Sequence, residues 1–147
     1  MKLIKIAVLG AMLAAGAAFA EGDATDPAAK QREAVMKEIG KNMGILGAMA
    51  KGEAAYDAAA AEAAKAAIVT ASGTIPTAFE TQGGEDATSE AKPEIWTSWD
   101  DFVKKSEALP AAVSAADVSS VEAIGASLGS IGGVCKDCHT TYRVTKQ

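Results

Sequence analysis

Between Val121 and Tyr142 the non-polar positions recur at every third or fourth residue: Val121, Ile124, Leu128, Ile131, Cys135, Cys138 and Tyr142. That period puts all seven on one side of an α-helix. A stripe this regular must be buried against other elements, and the composition says which kind. Alternating β-branched runs are few, alanine is abundant and only four prolines occur, so the partners are helices as well. A first segment opens at Asp26-Pro27, an N-cap residue followed by proline in the first helical position, and runs to about Lys51 before Gly52. Its stripe is Met36, Ile39, Met43, Leu46 and Ala50. A second starts near Tyr56-Asp57 and continues through an alanine run to Ser72-Gly73, with a further turn at Pro76 to Phe79. A connection rich in Gly, Ser, Thr and charge, TQGGEDATSEAKP, then leads to a third helix restarting at Glu94 after Pro93. Ile95, Trp99, Phe102, Leu109 and Val113 share one face of it, with Ser106 at the remaining heptad position. Pro110 predicts a kink or an end near Leu109. Short turns between amphipathic helices make antiparallel neighbours, so the expected fold is all-α, an antiparallel four-helix bundle.

The two cysteines of the final stripe lie in Cys135-x-x-Cys138-His139, which also contains the chain's one histidine. Attachment of haem c needs two thiols to add to the two vinyl groups on one porphyrin edge, and an imidazole beside them for the iron. On a helix Cys135 and Cys138 are i and i+3, and His139 is i+4 from Cys135, so the three fall close to one face. A thioredoxin-like dithiol belongs to a βαβ pattern that this chain lacks, and a zinc site of Cys and His cannot be completed without carboxylates when there is no third cysteine. The motif therefore predicts one haem c, held covalently through Cys135 and Cys138 and ligated axially by His139.

Residues 1–20 place Lys2 and Lys5 before an apolar run that ends in Ala18-Phe19-Ala20, the small-x-small pattern of a cleavage site. The run is short and interrupted by Gly10 and Gly16, which favours a secretory signal over a membrane anchor. Domain 21–147 then has 127 residues, room for a single core, and the expected location is periplasmic. Removing Lys2 and Lys5 leaves 12 basic against 19 acidic residues, a formal charge of −7. That balance disfavours nucleic acid and anionic membrane surfaces, suits a partner with a basic docking face, and leaves no membrane anchor after cleavage.

With Arg32 and Met36 in the first helix, the Ala-Lys-Gly-Glu-x-x-Tyr-Asp stretch from Ala50 to Asp57, Pro-Glu-Ile-Trp at Pro93 to Trp96, and the C-terminal Cys-Lys-Asp-Cys-His followed by Tyr142 and Arg143, the chain resembles the class II cytochromes c. That group includes cytochrome c prime. The resemblance implies that the residue facing the iron opposite His139 comes from the first helix, about four positions after its Arg or Lys, which is Met36 here. A methionine there either ligates the iron, as in the low-spin members, or covers it. The stretch from Val35 to Ala48 is closer to the low-spin group, which makes Met36 the expected sixth ligand and places Met43 and Met49 in the core. Arg32 is then expected to pair with a haem propionate, since a planar guanidinium suits a carboxylate; a solvated helix face is the alternative. Arg143, one turn beyond His139, is expected to screen the imidazole edge. Trp96, Trp99, Phe102 and Tyr142 read as core filling.

The implied function is that of a soluble one-electron carrier making brief contacts with redox partner proteins. The alternative is a five-coordinate haem that binds nitric oxide or carbon monoxide. No nucleophile is arranged with a base, so no enzymatic chemistry is expected. A homodimer, built on the first two helices, is compatible with alanine-rich surfaces, although no wide second apolar stripe demands one.

Overall fold

A computed structural model describes residues 23–144; the expected signal segment, 1–20, lies outside them. Six helices follow in order: α1 (Pro27–Ala50), α2 (Ala58–Gly73), α3 (Ile75–Phe79), α4 (Glu94–Thr97), α5 (Trp99–Ser114) and α6 (Val121–Tyr142). The four long ones form a closed square in which α1 packs on α2 and α6, and α5 packs on α2 and α6. This is the expected four-helix bundle. The only sheet-like pairing among the described residues is an isolated antiparallel bridge between Ala91 and Arg143. No described helix is long and apolar enough to cross a membrane.

Local chemistry sets most of the helix ends. The Asp26 carboxylate accepts from the N–H groups of Ala28 and Ala29, with Pro27 at the first turn. Asp57 accepts from Ala60 N–H at the start of α2, and the Ser120 hydroxyl oxygen accepts from Ala123 N–H at the start of α6. At the other end of α1, Gly52 turns the chain with φ +73°. The core runs the length of the bundle through Leu46, Ile68, Phe102, Val113, Ile124 and Ile131, all buried.

Three expectations need correction. Pro110 neither ends α5 nor stops it near Leu109: the helix continues to Ser114. Leu109 and Val113, buried on either side of the proline, hold the turn in place, so packing outweighs the missing N–H. The helix restarting at Glu94 is interrupted at Ser98, whose φ −129° and ψ 45° separate α4 from α5. In α1 the buried residues are Ala29, Arg32, Ile39, Asn42, Leu46 and Met49, while Met36, Met43 and Ala50 are half-buried. The inward face is thus rotated from the expected stripe and includes two polar residues.

Several surface carboxylates are held below the ordinary carboxylate range. Asp86 is lowered by the Thr88 hydroxyl and by the N–H groups of Asp26, Thr88 and Thr25. Asp26 is lowered by Ala29 N–H and then Gly84 N–H, Glu33 by Lys37, and Asp117 by Ser119. Groups with a depressed folded-state pKa add stability above their unfolded value, and that stability disappears as the pH falls through the folded value. The urea midpoint is therefore expected to drop progressively below about pH 4. Equal midpoints at pH 3 and pH 7 would contradict this.

Candidate haem site

Cys135, Cys138 and His139 project from the last two turns of α6 into one cleft between α6, α1 and α5. The cleft is apolar and open to solvent on one side, and encloses about 50 Å³. Met36 and Ile39 line it from α1; Phe102, Ser106 and Leu109 line it from α5. Met43 and Met49 are not in its wall: Met49 is buried in the core and Met43 packs against that core. The structure thus brings Met36 to the same cleft as the Cys-x-x-Cys-His motif and leaves the other two methionines of α1 outside it.

Both thiols are free and half-buried. Burial raises the pKa of Cys135 and pushes that of Cys138 up to about 11. Burial, with the nearby Arg143 cation, lowers the pKa of His139, against a smaller opposing effect from Glu90. Both effects favour the neutral imidazole, the form that ligates a metal. Arg143 itself is tied to Glu90 in an ion pair. Its backbone N–H bonds to His139 O, and the neighbouring Val144 N–H bonds to Glu90 O at 2.8 Å. The loop before α4 thereby straps the end of the helix that carries the motif.

Arg32 lies elsewhere than on a solvated face. It is only 5% exposed, and its Nη1 donates to the carbonyls of Thr81 and Gln82, both at 3.0 Å. The guanidinium lies over the Trp96 ring at 5.3 Å and the Phe79 ring at 5.8 Å. Phe79 packs on Phe102, centroids 5.1 Å apart, and Phe102 lines the cleft. Among the described residues Arg32 Nε is the one buried side-chain polar atom without a hydrogen-bond partner. Leaving such a donor unpaired costs about 1–3 kcal/mol, and more when it is charged. An acid group brought within hydrogen-bond reach of Nε would satisfy it.

The aromatic residues also gather here. Phe102 stacks on Trp99 and meets Tyr142 edge to face, and the Tyr142 hydroxyl donates to Asp101 at 2.6 Å. Trp96 donates from its indole N–H to Phe79 O at 2.8 Å. These contacts agree with the reading of all four as core. Pattern reading missed Lys105, which reaches the cleft wall from α5 and pairs with Asp137 of α6. Its neighbour Ser106, a polar residue at a heptad position, was the sequence signal that this part of α5 lines something other than a closed apolar core.

The donor set suits haem c: two thiols three residues apart on a helix, a neutral imidazole beside them, a thioether across the cleft, and aromatic and aliphatic walls between. Comparisons with known proteins agree. The family model described as cytochrome c prime matches residues 27–143. Cytochrome c-556 from Agrobacterium fabrum is 37% identical over 99% of this chain and 97% of its own. Oxidised cytochrome c556 from Rhodopseudomonas palustris superposes with a TM-score of 0.74 at 28% identity, covering 82% of this chain and 98% of that one. A nitric oxide complex of a variant cytochrome c prime from Alcaligenes xylosoxidans superposes with a TM-score of 0.67 at 31% identity, over 80% and 94% of the two chains. The chain belongs to the cytochrome c prime family, whose members carry a covalently bound haem c and serve as electron carriers or gas binders.

Proposed function

We propose that the protein is exported to the periplasm, with residues 1–20 removed as a signal peptide, and works there as a single-electron carrier with His139 and Met36 as the axial ligands. The observation that carries this reading is the presence of Met36, from α1, in the wall of the cleft lined by Cys135, Cys138 and His139 of α6. Haem c, when bound, supplies the ferric/ferrous couple. The chain's own residues do the rest. Cys135 and Cys138 would hold the group covalently through thioether bonds to its vinyl groups and so fix it to α6. His139 offers a neutral nitrogen from the same helix. Met36 would supply a thioether ligand from α1, which would raise the reduction potential and keep small gases out. Arg32 Nε bonds a haem carboxylate, and the aromatic cluster around Phe102 keeps water from the cleft wall.

Electron transfer needs only brief docking, so partners are redox proteins bound transiently through small interfaces. The acidic surface suits a partner with a basic face. The second reading, an open iron position for nitric oxide or carbon monoxide, is favoured by the nitric oxide complex of the Alcaligenes relative. Adding carbon monoxide to the reduced protein separates the two. The electron-carrier reading expects an unchanged spectrum; a rapid shift to a carbonyl-bound spectrum would support gas binding instead.

A further inference from the structure

Two carboxylates join the segment before α1 to the loop after α3. Asp86 accepts from Thr25 N–H at 2.7 Å, Asp26 N–H at 2.8 Å and the Thr25 hydroxyl at 3.1 Å. It is itself fixed by Thr88, whose N–H and hydroxyl donate to its other oxygen at 2.9 and 2.6 Å. Asp26 reaches the opposite way. Its Oδ2 accepts Gly84 N–H at 3.0 Å while its Oδ1 caps α1. Between the two, Gly83 has φ +75°, and a side chain there would collide with the Asp26 carboxylate and with Ala28. Glycine is therefore required on two independent grounds, and the clasp closes only with this loop pressed against the start of α1.

The residues immediately before Gly83 are Thr81 and Gln82, whose carbonyls take both Nη1 hydrogens of Arg32. A guanidinium is rigid and planar, so fixing one nitrogen on two acceptors fixes the direction of the rest. Trp96 and Phe79 hold the plane from its faces. Carbonyls supply no counter-charge. Asp26 and Asp86 act on Arg32 only through space, since the two carboxylates accept from backbone N–H groups and threonine hydroxyls. The buried cation is thus oriented, and its Nε remains unspent.

We propose that the Asp26–Gly83–Gly84–Asp86 clasp is a positioning device for Arg32: it sets the height of the Thr81 and Gln82 carbonyls, and through them aims Nε at an acid group of the haem. The last part rests on the reading of Arg32 given above. Opening the clasp frees the loop, lets the guanidinium turn toward solvent, and removes a cation from the neighbourhood of the iron. Losing a nearby cation favours the ferric state, so the reduction potential falls.

The test uses the haem-loaded protein in four forms: native, Arg32→Gln, Asp86→Ala, and the double variant. Gly83→Ala, which breaks the clasp without removing a charge, stands in if Asp86→Ala does not fold. Two quantities are measured, the hydrogen-exchange rate of Arg32 Nε–H by NMR in the reduced state and the reduction potential. We expect Asp86→Ala and Gly83→Ala to speed exchange by about tenfold or more. We expect Asp86→Ala to lower the potential in the same direction as Arg32→Gln, and the double variant to fall no further than Arg32→Gln alone. Native exchange in both clasp variants would overturn the proposal, as would a double variant whose shift is the sum of the two. If exchange quickens but Arg32→Gln leaves the potential unchanged, the clasp stands and the pairing of Arg32 with a haem carboxylate falls.

Discussion

Met36→Ala is expected to give a protein that binds carbon monoxide readily when reduced, shows a high-spin ferric spectrum, and has a reduction potential lowered by a sizeable fraction of the roughly 0.8 V range that axial ligands span. The reason is chemical. A thioether stabilises ferrous iron and fills the sixth position, while alanine at the same place on α1 leaves that position to water or gas. Folding should suffer less than function. Met36 is half-buried, so the substitution is expected to cost about 1–2 kcal/mol, below the 2–5 kcal/mol of a fully buried methionine truncated to alanine. Spectroelectrochemical titration measures the potential and urea denaturation the stability. A variant with native potential and no carbon monoxide binding would exclude Met36 as a ligand.

The second large effect is expected from Cys135→Ala/Cys138→Ala. With both thiols gone, no haem remains on the polypeptide after denaturation, so a denaturing gel stained for haem is blank while the native protein stains strongly. Each single variant keeps one thioether and a fainter band. The helix explains why neither thiol is replaceable from elsewhere: they are the chain's only two cysteines, and their spacing of three residues on α6 presents both to the same cleft. Loss of the group also removes a ligand that binds the folded state, so the melting temperature is expected to fall with the haem content. Haem staining that survives in the double variant would contradict covalent attachment at these positions.

What the sequence made legible was whatever a local pattern controls. The stripe of α6 ends in the motif, and the structure keeps Ile124, Ile131 and Tyr142 buried with Cys135 and Cys138 half-buried beside them. The Asp26-Pro27 start of α1 follows from one side chain and one ring. Arg32 shows where local reading stops. The residues within a turn of Arg32 do not separate the propionate partner that the resemblance implies from a solvated face; its burial is set by carbonyls 49 and 50 residues away. The same holds for the clasp, whose halves are separated by about sixty residues and meet only after α1, α2 and α3 have packed. Pro110 shows the opposite case: of the kink or end that a local rule expects near Leu109, the end does not occur, and the helix runs on to Ser114 with Leu109 and Val113 buried. Met36 stands between these cases: its place on α1 came from the apolar stripe, its expected role from resemblance, and its presence in the cleft from the packing of α1 on α6.

The central claim is a sulfur–iron bond between Met36 and the haem held by α6, and the most direct test is the far-red sulfur-to-iron absorption band of the ferric protein. The account predicts that the native protein shows this band, that Met36→Leu abolishes it, and that Met43→Leu and Met49→Leu leave it in place. A ferric native spectrum without the band, or a band that persists in Met36→Leu, would contradict it.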